Sequence, residues 1–165
     1  LELYMDQGAR TIESLAALRK ADVKAYDVVW KSIREDGAYI DAGENDNLIV
    51  QKISQNPKAI GVFGFSFLEE NMDKLKGITM SGVEPTYATI SDFSYPGARP
   101  LYIYVKAAHL DAIKGLKEFI SEWAKHWSKD GLLAKQGMVV APDDVLAKSN
   151  KAATEFTLMD PSGLK

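Results

Sequence analysis

The stretch Glu44–Asn71, ENDNLIVQKISQNPKAIGVFGFSFLEEN, constrains the chain most. It reads as a helix, a tight turn, a buried strand and a second helix entered through a glycine-punctuated loop. Ala59–Phe65 (AIGVFGF) is apolar wherever it is not glycine, so a strand here needs cover on both faces. Pro57 cannot continue the preceding helix, so Asn56-Pro57 places the turn. A strand covered on each side and held between helices predicts an α/β fold, with a sheet flanked by helices.

Helices and short strands alternate around this unit. Leu1–Gln7 reads as a helix tail stopped at Gly8. Thr11 is expected to cap a helix with Ile12, Leu15 and Leu18 on its apolar side, and Asp22 to cap the next, with Val23, Tyr26, Trp30 and Ile33 as its stripe. An amphipathic helix that binds a protein partner is the alternative for Trp30, but the spacing is that of ordinary core. Short strands are expected at Ala38–Ala42, Gly77–Met80, Leu101–Lys106 and Gly137–Ala141. Ser81-Gly82 reads as a turn, and Pro85-Thr86 opens a helical turn to Phe93. Asp111–Trp127 is the clearest helix, with Ile113, Leu116, Ile120, Trp123 and Trp127 at three- and four-residue steps. Leu132–Gln136 is a helical turn, Pro142 suits the start of a helix Asp143–Phe156, and MDPSGLK reads as a frayed end.

Charge and composition bound the partners. With 26% charged residues, 46% hydrophobic residues and no apolar run near the ~20 residues of a membrane helix, the pattern is that of an ordinary globular domain. A net charge of −3 argues against nucleic acid, which favours a basic face, but not against a small anion held by helix-end N–H groups. Zero cysteines remove thiol nucleophiles, disulfides and cysteine metal sites. The chain opens at Leu1 without Met or a leader, which reads as a fragment or processed product.

Few residues invite chemistry. In GENDN, residues 43–47, Asn45 or Asp46 can accept from the free N–H groups of the helix Asn47–Gln55. A helix start also attracts anions, so the loop is a ligand-side candidate beside its plainer capping role. It is not a calcium loop, because Gly43 stands where an oxygen ligand is needed. Ser66 follows Gly64 at a strand-to-helix turn, but Leu68 replaces the second glycine of a nucleophile elbow, and His109 and His126 are the only available bases. Glu69 and Glu70 diverge by about 100° on a helix and form no acid/base pair. His126 reads as a surface or satisfied side chain. No catalytic residue, metal ligand or cofactor is expected.

The order SIREDGAYIDAGENDNLIVQKI, NPKAIGVFGFSFLEEN, GITMSGVEPTYATI and SYPGARPLYIYVKAAH closely resembles the later half of bacterial phosphate-binding proteins. These are the solute receptors of the high-affinity phosphate ABC transporter. The resemblance runs from about Tyr26 to Pro142 and is most specific in AIGVFGFSFLEEN and YPGARPLYIYVK. It implies a partial two-lobed type II periplasmic-binding-protein fold with phosphate in the cleft. Residues 1–95 would be the C-terminal part of the second lobe, 96–106 the hinge crossing strand, and 107–165 closing helices that pack on the first lobe.

The same resemblance marks what is missing. The family's main phosphate ligands are a Thr, a Ser and an Asp of the first lobe and a Ser-Gly-Thr-Arg-Asp cluster of the second, and none of these motifs is present. Asn45 and Asp46, at a helix start directed towards the cleft, and Arg99, near the crossing, would lie close to the ligand without being its main holders. For Arg99 a structural salt bridge is the competing role, and Ala98 stands where the family usually has serine. The implied partners are inorganic phosphate and the transporter permease, at a periplasmic or cell-surface location. A secreted phosphate-related enzyme on a similar scaffold is one alternative. A self-associating fragment is another, with Trp123 and Trp127 among the apolar faces left without a partner.

Overall fold

The computed structural model of the chain describes residues 1–160 and 162. It divides into two compact units, Leu1–Lys76 and Gly77–Lys165.

The first unit holds α1 (Glu2–Arg10), α2 (Glu13–Ala21), α3 (Val23–Trp30), α4 (Asp46–Gln55) and α5 (Phe65–Glu69). Helix α2 packs on α3, and α1 touches both. Asp22 makes the sharp α2–α3 corner: its backbone is extended, and its carboxylate accepts from Ala25 N at 3.0 Å, as expected of a cap. The corner folds Tyr26 into the middle of the three helices, where it is 1% exposed. Thr11 takes the opposite role to the one expected. Helix α1 runs through Gly8, and the Thr11 hydroxyl donates to the Gly8 carbonyl at 2.7 Å, closing α1 instead of opening α2. The apolar stripe also stops early, because α3 ends at Trp30, before Ile33.

The second unit holds α6 (Tyr87–Ser91), α7 (His109–Ala112), α8 (Leu116–Ala124), α9 (Leu132–Lys135) and α10 (Asp143–Glu155). A reciprocal box between Thr86 and Thr89 starts α6 where Pro85-Thr86 signalled it. Helices α8 and α10 pack together, tied by Trp127 Nε1 donating to Asn150 Oδ1 at 2.7 Å. Val140, 2% exposed, is held by its backbone: its N–H donates to the Tyr87 hydroxyl at 3.1 Å, and its carbonyl accepts from Ser91 Oγ at 2.6 Å. The long helix expected over Asp111–Trp127 is two helices. Gly115, with φ of +86°, occupies the left-handed region and separates α7 from α8.

The flanked sheet is not formed among the described residues. The only β pairing there is an isolated antiparallel bridge between Met80 and Val83, across the expected Ser81-Gly82 turn. Residues 60–64 and 101–106 are extended without a ladder, and a strand exists only when its N–H and C=O groups meet a neighbouring strand. The layer contact survives at Gly61, where a Cβ would fall 2.7 Å from Ile49 Cγ2, so α4 lies directly against the extended segment. The strand expected at Ala38–Ala42 is replaced by local turns. Asp36 accepts from Ala38 N at 3.2 Å, and Asp41 from Gly43 N at 2.8 Å. Of the expected frayed end, Asp160 accepts from Ser162 N at 2.9 Å, and Pro161 and residues 163–165 lie outside the described residues.

Candidate functional site

The loop before α4 is built by its own side chains. Gly43, with φ of +60°, turns the chain, and Asn45 Oδ1 then accepts from Leu48 N at 3.0 Å. The capping role is therefore Asn45's. Asp46 is the first helical residue and is half-buried. A Cβ placed on Gly64 would stand 3.7 Å from Asp46 Oδ2 and 3.9 Å from Ser66 Oγ. The starts of α4 and α5 thus converge on the Gly64 backbone, with a carboxylate and a hydroxyl beside it. At these distances a Cβ would make ordinary van der Waals contact, so neither group depends on glycine at this position.

Helix starts offer N–H donors, the hydroxyl both donates and accepts, and the carboxylate accepts a proton-bearing hydrogen bond. A fully deprotonated anion is repelled by Asp46, whereas an anion that still carries a proton can donate to it.

Sequence reasoning singled out Asn45 and Asp46, which stand together at the α4 start. Arg99 belongs to the second unit, where it is exposed and pairs with no described residue, so the salt bridge considered for it is not made there. Ser66 lies in the first unit and both histidines in the second. Among the described residues no three His, Cys, Asp or Glu side chains cluster as a metal site would require.

A second polar cluster was not foreseen. The Tyr26 hydroxyl donates to Asp6 Oδ1 at 2.8 Å and approaches the Asp6 carbonyl at 3.2 Å, while Arg10 pairs with the other carboxylate oxygen. Burial pushes the Asp6 carboxyl up, but the Tyr26 hydroxyl, Arg10 and the more distant Arg19 outweigh it, and the net shift is downward. Burial and the neighbouring Asp6 carboxylate raise the Tyr26 phenol. Spacing signals only the Asp6–Arg10 pair, one turn apart on α1, and not the Tyr26 contact twenty residues away.

Two shallow recesses lie elsewhere. One of about 310 Å³ is lined by Leu1, Met5, Ser32, Ile33, Arg34 and Tyr39, with Arg34 already paired to Asp36. The other, about 360 Å³, opens between α8 and α10 beside Lys125 and Asn150. Neither includes Asn45, Asp46 or Arg99. No described helix is long and apolar enough to cross a membrane.

Residues 5–125 match the model of the PBP superfamily domain, and the chain belongs to that superfamily. Within it, the chain is similar to the phosphate-binding protein PstS of Staphylococcus saprophyticus, 35% identical over 144 residues that cover 76% of this chain and 44% of that protein. It is also similar to PstS of Staphylococcus haemolyticus, 43% identical over 79 residues (45% and 25% of the two chains), and to PstS of Staphylococcus aureus MRSA252, 38% identical over 109 residues (62% and 32%). The chain thus spans less than half the length of these curated relatives, which are named as binding proteins and not as enzymes. No solved structure matches it.

Proposed function

We propose that the chain serves in a receptor for inorganic phosphate that holds the anion between two lobes and delivers it to the permease of an ABC transporter. The observation that carries this reading is the 35% identity to a phosphate-binding protein over 76% of the chain. In this reading residues 1–95 are the C-terminal part of the second lobe, 96–106 the hinge crossing, and 107–165 helices that close on the first lobe. The extended residues 59–64 and Leu101–Lys106 become strands of a flanked sheet once the rest of the receptor supplies their neighbours. Asn45, Asp46 and Arg99 stand near the anion, and the ligands that grip it lie in sequence beyond these 165 residues. The receptor works at the periplasmic or outer cell surface, where a transporter collects its solute.

The convergence of Asp46 with the α4 and α5 starts supports the choice of ion. Phosphate keeps a proton near neutral pH and can donate it to a carboxylate, while sulfate has none to give. The test is calorimetric titration of phosphate and sulfate into the complete receptor. Tight one-to-one binding of phosphate with far weaker sulfate binding is expected, and equal affinities would refute the reading.

A second property concerns the 165-residue chain by itself. Its extended apolar segments stand exposed, with Ile60 and Leu101 each 76% accessible, and this favours self-association.

A further inference from the structure

Leu101–Lys106, LYIYVK, runs extended, and no backbone N–H or C=O of Leu101–Val105 bonds to another backbone group among the described residues. All five side chains are open, from 36% exposed at Val105 to 76% at Leu101. Tyr102 and Tyr104 share one face, with ring centroids 6.0 Å apart, so the alternation expected of a strand is already realised without a partner. Such a segment is an edge waiting for a strand.

We propose that in the 165-residue chain this segment pairs antiparallel with the same segment of a second copy, in the register that sets Ile103 opposite Ile103. This rests on the self-association reading and specifies its surface. The pattern aliphatic–Tyr–aliphatic–Tyr–aliphatic reads the same in both directions. Centring the pair on Ile103 places Tyr102 opposite Tyr104 of the second copy on one face, and Leu101 opposite Val105 on the other. A slip of one residue sets tyrosine against aliphatic side chains along the whole pair. Charge agrees with this choice: Leu101–Val105 carries none, Lys106 falls opposite Pro100, and Arg99 opposite Ala107, so no like charges meet. Pro100, which has no N–H to offer, stands just outside the paired core. The other extended stretch, residues 59–64, suits this pairing less, because Gly61 is packed against Ile49 and two glycines interrupt its side-chain rows. A pair this short buries well under the ~1,200 Å² of a stable interface, so the association is weak and appears in the high-micromolar range.

The absence of native cysteine makes single-cysteine crosslinking a clean test. Leu101→Cys, Ile103→Cys and Val105→Cys are oxidised in separate 165-residue chains, and sedimentation velocity follows the unsubstituted chain and Ile103→Lys. In the proposed register the two Ile103 positions face each other, whereas Leu101 and its copy are four residues, about 13 Å, apart along the pair, beyond disulfide reach. Ile103→Cys should therefore crosslink roughly tenfold faster than the other two, and Ile103→Lys should abolish association while keeping the far-ultraviolet circular dichroism. Equal crosslinking rates at the three positions, or association that survives Ile103→Lys, would overturn the register and leave self-association through another face. A chain that stays monomeric at every concentration would overturn both.

Discussion

Tyr26 of α3 and Asp6 of α1, twenty residues apart, meet through a 2.8 Å hydrogen bond from a phenol that is 1% exposed. This contact fixes how α1 lies on the α2–α3 pair. Removing the hydroxyl leaves the Asp6 carboxylate with Arg10 alone. Tyr26→Phe is therefore expected to lower the urea midpoint of the first unit, with the ring packing against Trp30 at 6.4 Å retained. An unchanged midpoint would show that α1 is held by apolar contact only.

The same pair gives stability a pH dependence at both ends. The folded Asp6 carboxyl lies below its ordinary value, so its contribution is present above about pH 4 and is lost as pH falls through the folded value. The folded Tyr26 phenol lies above its ordinary value, so its contribution is full below about pH 10 and is lost as pH rises further. Thermal melts of the native chain and Tyr26→Phe between pH 2 and 12 check this. Both limbs should be shallower in the variant.

In the second unit a Cβ on Gly131 would stand 2.2 Å from the His126 carbonyl oxygen, which also accepts from Leu133 N at 3.0 Å. Backbone cannot yield as a side-chain tip can, so Gly131→Ala should cost about 1–3 kcal/mol by denaturant unfolding. Val140→Ala empties a site that is 2% exposed and should cost about 2 kcal/mol.

At the candidate site, Asn45→Ala removes the cap of α4 and should destabilise the first unit by about 1 kcal/mol, while Asn45→Asp keeps an acceptor and most of that stability. The two variants also separate roles. If Asn45 serves only as a cap, phosphate binding by the complete receptor follows stability. If it stands near the anion, Asn45→Asp weakens binding although the fold is intact.

The helices were legible because capping and apolar spacing are local: Asp22, Asn45 and Thr86 each cap the helix that follows. Where local rules offered two outcomes, tertiary context chose. The Thr11 hydroxyl found a helix-end carbonyl, and Gly115 broke a stripe that periodicity carried through. The strands illustrate a different limit. The composition of AIGVFGF and LYIYVK states that these segments want neighbours, but pairing is non-local and requires a second strand that the described residues do not place beside them. At the site, Asn45 and Asp46 were visible as a helix start. The approach of Asp46 to Gly64 was not, because it depends on how two helices meet.

Selection of phosphate over sulfate is what the proposed receptor must achieve. Calorimetry on the proposed two-lobed receptor, with phosphate and then sulfate as titrant, is the decisive measurement. One tightly bound phosphate per receptor is expected, with sulfate far weaker, and no comparable affinity in the 165-residue chain alone. Undetectable phosphate binding by the complete receptor, or sulfate bound as tightly, would contradict the proposal.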